Sequence, residues 1–281
     1  MSNIEDTSTP LKSAPAGFQT SNILADDFGW EVPVETVPIP SQGVVYEPDT
    51  NLHGVQTVNI RSMTAREEDI LTSPALIKNG TVISELIKSC VCDNNVDVNK
   101  MLLGDRNAVM ISIRITGYGS EYKADVTCPA CSERSQQSFD LSGLEIKPLE
   151  ISPVTKGENR FEFKLPVTKK IVHFKFLTGE DELRISKETT KLQQLFPDKN
   201  TEDRVTGRLA HSILSVDGIE DRHKIKMFIQ NMPARDSRAL RTYMSEKEPG
   251  VDMRCAMSCP SCDTASMIDL PIGINFFWPR E

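Results

Sequence analysis

The sequence predicts an α+β fold that combines a helical region with antiparallel hairpins, and three observations predict it. Apolar residues recur at helical spacing over 82–91 and again after 178. Strict alternation of apolar and polar residues, typical of strands, is confined to short paired segments. Two Cys-x-x-Cys motifs each lie between two strand-like segments. Together they predict a split unit like a zinc ribbon within an otherwise helical protein.

Composition excludes several classes of protein. The chain has 281 residues, of which 38% are hydrophobic and 26% charged, which is typical of a soluble globular protein. No apolar run approaches the roughly 18–20 residues of a membrane span, and the N-terminus lacks the apolar core of a signal peptide. We therefore expect no membrane span and a reducing cytoplasm.

Charge is concentrated at the N-terminus. Eight acids and one base lie in residues 1–50, so this segment carries -7 of the net charge of -8. The nearly neutral remainder argues against nucleic acid as a partner, because affinity for nucleic acid comes mainly from basic side chains that neutralise phosphates.

Residues 1–36 are acidic and rich in Pro and Ser, which predicts a disordered tail. A few apolar side chains within it are either short docking elements or part of plain disorder: Phe18, Ile23, Leu24, Phe28 and Trp30. Folded structure is expected to begin near 37, with an edge strand over 44–46.

The segment 37–120 is predicted to hold the N-terminal strands and helices. Residues 55–60 alternate as a strand. Thr64 and Glu67 then form a capping-box pattern, which predicts a helix that ends near 72. Apolar residues over 82–91 predict a second helix with one buried face.

The pattern that follows Asp105 is ambiguous. Asp105 is a candidate N-cap for a helix over 106–116. Ile111, Ile113 and Ile115 nevertheless alternate as they would in a strand, so both interpretations stay open and the helix is favoured.

Three further regions complete the predicted organisation. Residues 121–146 form the first cysteine hairpin, 147–250 an inserted hairpin with helices, and 251–281 a second cysteine hairpin with an aromatic C-terminus. Within the insertion we expect paired strands over 160–165 and 171–177, a strand at 213–216, and helices over 178–196, 202–212, 222–231 and 234–246.

The two cysteine motifs predict one structural zinc per chain. Cys128-Pro129-Ala130-Cys131 and Cys259-Pro260-Ser261-Cys262 each place two sulfurs on a tight turn, and two such turns complete a tetrahedral site. The motifs are separated by 127 residues, whereas compact zinc ribbons separate them by roughly 15–20. Such an insertion is tolerated because the cost of loop closure rises only logarithmically with length.

Two alternatives remain for these cysteines: a redox pair, or a hairpin pair that lacks metal and buries its thiols. Cys90, Cys92 and Cys255 are interpreted as packing residues, with Cys255 as the one credible substitute ligand. A catalytic zinc normally keeps an open position, so four thiolate ligands favour a structural role.

Catalytic patterns are missing from the rest of the sequence. It contains no phosphate-binding, dinucleotide-binding, nucleophile-elbow or zinc-protease motif. Its four histidines are isolated from one another: His53, His173, His211 and His223. No catalytic residue or small-molecule substrate is therefore predicted. Arg235, Arg238 and Arg241 form either a solvated helix face or a patch for an acidic partner.

Seven short segments carry a resemblance to a known family. They are Pro40-Ser41-Gln42-Gly43 with Tyr46, residues 63–71, Leu103-Gly104-Asp105-Arg106-Asn107-Ala108, Arg114-Ile115-Thr116-Gly117-Tyr118-Gly119, the two cysteine motifs, and Phe276-Phe277-Trp278-Pro279. In these segments the chain resembles the T4-type bacteriophage baseplate hub family, over roughly 37–281.

The resemblance implies a non-enzymatic phage tail protein whose partners are other baseplate and tail hub proteins. Such a protein either stays in the virion or acts only during assembly in the host cytoplasm. Phe276, Phe277 and Trp278 are then either anchors for a partner or part of the protein's own core. A zinc-ribbon nucleic-acid module and a thiol redox or metalloenzyme remain the alternative functions.

Overall fold

The computed structural model describes residues 29, 31–93, 95–195, 204–272 and 274–277. The chain divides into Met1–Pro33 and a second unit, Val34–Glu281, which contains every described helix and strand. Most of the predicted tail, including its apolar side chains, lies outside the described residues. The first strand begins at Val34, three residues before the predicted start of folded structure.

The described elements confirm an α+β fold. The strands are β1 Val34–Pro38, β2 Thr57–Arg61, β3 Glu121–Thr127, β4 Arg134–Asp140, β5 Ile146–Lys147, β6 Phe161–Lys164, β7 Ile171–Phe174, β8 Ile213–Val216, β9 Gly250–Val251, β10 Arg254–Ser258 and β11 Ala265–Asp269. The helices are α1 Ala65–Thr72, α2 Pro74–Asn79, α3 Val82–Cys90, α4 Leu103–Tyr118, α5 Gly179–Leu195, α6 Arg204–Ser212, α7 Arg222–Asn231 and α8 Ala234–Lys247. Short 3-10 helices cover Leu141–Gly143 and Ile274–Phe277.

All described strand pairs are antiparallel. Four sheets have two strands each, β1-β2, β3-β4, β5-β9 and β10-β11, and the fifth has the order β6-β7-β8. The sequence predicted the β6-β7 hairpin because its strands alternate. It predicted the two cysteine hairpins because strand-like segments flank each Cys-x-x-Cys motif. The β5-β9 pair was not predicted, since each strand has only two residues.

The central helix α4 is buried on most sides, which decides the ambiguity in its sequence. Ile111 and Ile113 are both buried although they alternate with Ser112, because apolar contacts surround the helix. The helix is confirmed, but the prediction that Asp105 is its N-cap is wrong. The N-cap is Leu102, and Asp105 lies inside the first turn with none of its surface exposed.

Asp105 instead holds the segment that precedes β2. Its carboxylate accepts hydrogen bonds from the amide of Ser41 (2.8 Å), the hydroxyl of Ser41 (2.5 Å) and the hydroxyl of Tyr46. Burial raises the pKa of Asp105, although these hydrogen bonds oppose the shift. The predicted edge strand over 44–46 is therefore wrong: these residues lie in a series of turns fastened to α4.

The capping box at the start of α1 is confirmed. The carboxylate of Glu67 accepts from the amide (2.9 Å) and the hydroxyl (2.7 Å) of Thr64. It also binds the guanidinium of Arg61, at 2.6 and 3.1 Å, and the hydroxyl of Ser89 at 2.7 Å. The cap thus connects β2, α1 and α3.

The inserted region leaves and re-enters the fold at one place. Strand β5 pairs with β9, so Ile146 lies opposite Val251 and Lys147 opposite Gly250. Because this pair closes the insertion, the long gap between the two cysteine motifs in sequence is short in space.

The aromatic C-terminus packs against the protein itself. Phe276 and Phe277 are each 0% exposed, and Phe276 contacts the ring of Tyr122 edge to face, with centroids 5.0 Å apart. These two rings thus form part of the protein's own core, and the structure presents neither of them to a partner. Trp278, the third predicted anchor, lies outside the described residues.

Candidate metal centre

The first cysteine motif forms a tight turn between β3 and β4. The amide of Cys128 donates to the carbonyl of Glu133 (2.9 Å), and the amide of Ser132 donates back to the carbonyl of Cys128 (2.9 Å). The amide of Ala130 donates to the sulfur of Cys128 at 3.4 Å. Ser132, which follows Cys131, has a left-handed φ of 62°. The turn therefore directs backbone N–H groups toward sulfur, as a thiolate requires.

The second motif repeats this geometry between β10 and β11. The amide of Cys259 donates to the carbonyl of Thr264 (3.1 Å), and the amide of Asp263 donates to the carbonyl of Cys259 (3.0 Å). Asp263, which follows Cys262, has a φ of 52°. The two hairpins thus share their strand pairing, their turn hydrogen bonds and their left-handed residue, as expected for an internal duplication.

The two turns bring all four predicted sulfurs together. Every pair of sulfurs lies within 4.8 Å, with Cys128 Sγ 3.8 Å from Cys262 Sγ and Cys131 Sγ 3.6 Å from Cys259 Sγ. A zinc–sulfur bond of about 2.3 Å implies about 3.8 Å between the sulfurs of a regular tetrahedron. A disulfide requires about 2.05 Å, so the four thiols are free. This site could hold a metal ion, and its all-sulfur donor set suits zinc or iron.

Hydrogen bonding favours the thiolate form of two of these cysteines. The hydroxyl and the amide of Thr264 lower the pKa of Cys262 to about 6. The amides of Cys131 and Ala130 lower the pKa of Cys128. Cys128 and Cys259 are buried, whereas Cys131 and Cys262 are exposed. One side of the site therefore faces the hairpins and the other faces solvent.

The geometry gives less support to a redox pair. Reactive cysteines are exposed and have a lowered pKa, and Cys262 shares both properties. However, both motifs lie in turns between strands, and neither begins a helix whose N-terminus would stabilise a thiolate. Within the described part of the chain, the four cysteines are the one group of potential metal ligands that lies close together.

The three remaining cysteines stand apart from this group. Burial raises the pKa of Cys90 to about 12 and also raises the pKa of Cys255. Cys92 is exposed, so the prediction that it is a packing residue is wrong. Cys255, the predicted substitute ligand, lies on β10 but is not a member of the four-sulfur group.

A buried arginine, Arg114, positions the first hairpin, a role that the sequence did not predict. Arg114 is 1% exposed and donates to three carbonyls: Phe276 (2.9 Å), Gly119 (2.8 Å) and Glu121 (3.0 Å). It thereby joins α4, the start of β3 and the C-terminal segment. The sequence offered two signals for it: Arg114 is a charged residue within an apolar run, and it begins one of the segments that carry the family resemblance.

Two polar contacts fix the hairpins against each other. The side-chain amide of Gln137 on β4 donates to the carbonyl of Ser258 on β10 (3.3 Å). The hydroxyl of Tyr122 on β3 donates to the carbonyl of Pro271, just after β11 (2.9 Å). These contacts bring the two cysteine turns to the same end of the paired hairpins.

The predicted arginine patch lies elsewhere, on α8. Arg235, Arg238 and Arg241 are all exposed. Arg241 also lines a cavity of about 340 Å³ whose other walls include Phe176 and Met244. The position of the three arginines is compatible with both predicted interpretations, a solvated helix face and a patch for an acidic partner.

Comparison with known proteins gives one match. A family model described as T4 bacteriophage base plate protein matches residues 45–278, which are most of the chain and include both cysteine motifs. No curated protein and no solved structure shows significant similarity. Among the described helices, none is long and apolar enough to cross a membrane.

Proposed function

Because the chain belongs to the T4 bacteriophage base plate protein family, we propose that it is a non-enzymatic protein of the baseplate hub. It acts through contacts with other hub and tail proteins. It assembles with them in the host cytoplasm, and the tail baseplate of the virion is its destination.

We further propose that each chain binds one structural zinc through Cys128, Cys131, Cys259 and Cys262. The observation that carries this proposal is the set of sulfur-to-sulfur distances, which match those of a tetrahedral zinc site. The protein supplies all four ligands, so no coordination position remains for a substrate. The metal therefore stabilises the structure and carries out no reaction.

The zinc would join two parts of the chain that are far apart in sequence. Each two-stranded hairpin is marginally stable by itself, because so few strands bury little apolar surface. A metal bound to both turns would hold β3-β4 against β10-β11 and so close the large insertion. The result is a rigid base from which the inserted helices contact other baseplate proteins.

The arginine patch on α8 is the proposed contact for an acidic partner. Three exposed guanidinium groups on one helix raise the rate of association with an acidic surface and add modest affinity. Arg235→Glu/Arg238→Glu/Arg241→Glu reverses this charge without touching the metal site. Lys187→Glu/Lys191→Glu is the control, because it reverses two exposed charges on α5.

A binding experiment tests this function. The purified chain is titrated with each purified hub protein of a T4-type phage, and binding is measured by light scattering and calorimetry. We expect a complex with at least one hub protein, weakened at least tenfold by the arginine variant and little by the lysine control. Failure to bind any hub protein, together with salt-dependent binding to DNA, would contradict the proposal.

A further inference from the structure

Strand β4 has one edge without a partner strand. Among the described strands it pairs with β3 alone, and β3-β4 is a two-stranded sheet. A groove of about 520 Å³ is lined by Ser138 to Asp140 of β4 and by Arg254 to Ala256 of β10. No described strand pairs with this edge.

The hydrogen-bond pattern shows which residues face this edge. At the ends of the hairpin, Cys128 N donates to the carbonyl of Glu133 and Leu141 N donates to the carbonyl of Ser120. Because backbone direction alternates along a strand, the odd-numbered residues of β4 hydrogen-bond to β3. The even-numbered residues direct their N–H and C=O groups outward: Arg134, Gln136, Ser138 and Asp140.

This outward row is complementary to a second copy of itself. In an antiparallel pair whose two-fold axis passes through Gln137, Gln136 lies opposite Ser138 of the second copy. The outward backbone N–H and C=O groups of one strand then face those of the other. The same register places Arg134 opposite Asp140 of the second copy at both ends. Opposite charges at such cross-strand positions are stabilising. All four outward residues are exposed, and the carboxylate of Asp140 also accepts hydrogen bonds from Ser142 and Ser120.

We infer that this edge binds the same edge of a second chain, so that β3-β4 of two copies form one four-stranded antiparallel sheet. A two-fold interface of this kind uses the same surface on both chains. It also removes an exposed strand edge, which proteins otherwise protect by charge or by covering. The contact is small, so the dimer belongs to the weak, concentration-dependent class.

Analytical ultracentrifugation of the full chain over roughly 1 mM to 1 µM tests the inference, since weak interfaces dissociate in this range. We expect a reversible monomer–dimer equilibrium. Ser138→Pro removes an outward N–H and leaves the backbone hydrogen bonds to β3 intact, although it also removes the bond from the Ser138 hydroxyl to Glu121 (2.8 Å). It should weaken the dimer at least tenfold. Arg134→Glu should weaken it similarly, and Arg134→Glu/Asp140→Arg should restore it. Lys187→Glu, with the same charge change on α5, should have no effect.

Hydrogen exchange locates the contact independently. At high concentration the amides of Gln136, Ser138 and Asp140 should become protected relative to dilute protein, and Ser138→Pro should abolish this protection. Circular dichroism of each variant confirms that it is folded. A chain that stays monomeric throughout, or a dimer that persists unchanged in both the proline and the Arg134→Glu variants, would overturn the inference. Neither outcome bears on zinc binding or on contacts with hub proteins.

Discussion

Replacing Glu67 with glutamine should remove a pH-dependent part of the protein's stability. Burial alone would raise the pKa of Glu67, but hydrogen bonds from Arg61, Ser89 and Thr64 outweigh this effect and lower the pKa from 4.5 to about 2. The ionised carboxylate is thus strongly favoured in the folded protein. Glu67→Gln keeps the shape of the side chain and removes its charge.

The magnitude follows from linkage between protonation and folding. Lowering the pKa from 4.5 to about 2 corresponds to about 3 kcal/mol at neutral pH, at roughly 1.4 kcal/mol per pKa unit. The side chain of Arg61 is 26% exposed, and solvent screening reduces the expected value to about 2 kcal/mol. Because the folded pKa is the lower one, this stability is complete above the unfolded pKa. It is lost as the pH falls from 4.5 toward 2.

Urea unfolding of wild type and Glu67→Gln, from about pH 7 to pH 3, measures the contribution of the Glu67 charge to the free energy of unfolding. The difference in the free energy of unfolding should be about 2 kcal/mol at pH 7 and should fall by about half or more at pH 3. Asp69→Asn removes an exposed carboxylate from the same helix and should change stability by less than about 0.5 kcal/mol. A Glu67→Gln difference that is the same at every pH would refute the reasoning.

Two further predictions concern buried contacts and are checked by urea unfolding at neutral pH. Arg114→Met leaves three carbonyls without their donor and should lower the free energy of unfolding by about 3 kcal/mol, whereas Arg235→Met should lower it by less than about 0.5 kcal/mol. Equal effects would contradict the structural role of Arg114. Gly43→Ala places a Cβ 2.3 Å from the amide nitrogen of Val55 and should cost about 1–3 kcal/mol more than Gly54→Ala, which has a similar φ and open space; equal costs would rule out a close approach.

The elements that the sequence predicted best have a strong local pattern. Strand-like segments on both sides of each cysteine motif predicted the two hairpins, and the structure contains both. The capping box of Thr64 and Glu67 likewise predicted the start of α1. In these segments, local preference and tertiary packing favour the same structure.

The failures occurred where distant residues decide the local structure. The apolar segment 44–46 has the composition of a strand, but Asp105 binds Ser41 and Tyr46 and fixes turns instead. Asp105 is a residue type common at N-caps, but here it is a buried hydrogen-bond acceptor. The type of a residue does not reveal a contact with another residue about 60 positions away in the sequence.

The candidate site was predictable in its ligands but not in its support. Cysteine spacing alone identified the four sulfurs that the structure brings together. The closure of the insertion by β5 and β9 depends on two-residue strands that carry no periodic signal. The role of Arg114 depends on the carbonyl of Phe276, which is remote in sequence.

Metal content is the most direct test of the central claim that zinc joins the two hairpins. The chain is purified without added zinc, and bound metal and thermal stability are measured for wild type, Cys259→Ser and Cys255→Ser. We predict one zinc per chain in wild type and in Cys255→Ser, since Cys255 lies on the strand that precedes Cys259 but outside the sulfur group. Cys259→Ser should lose both the zinc and much of the stability. A wild-type chain that binds no zinc even when zinc is supplied, and is no more stable than Cys259→Ser, would show that zinc does not join the two hairpins.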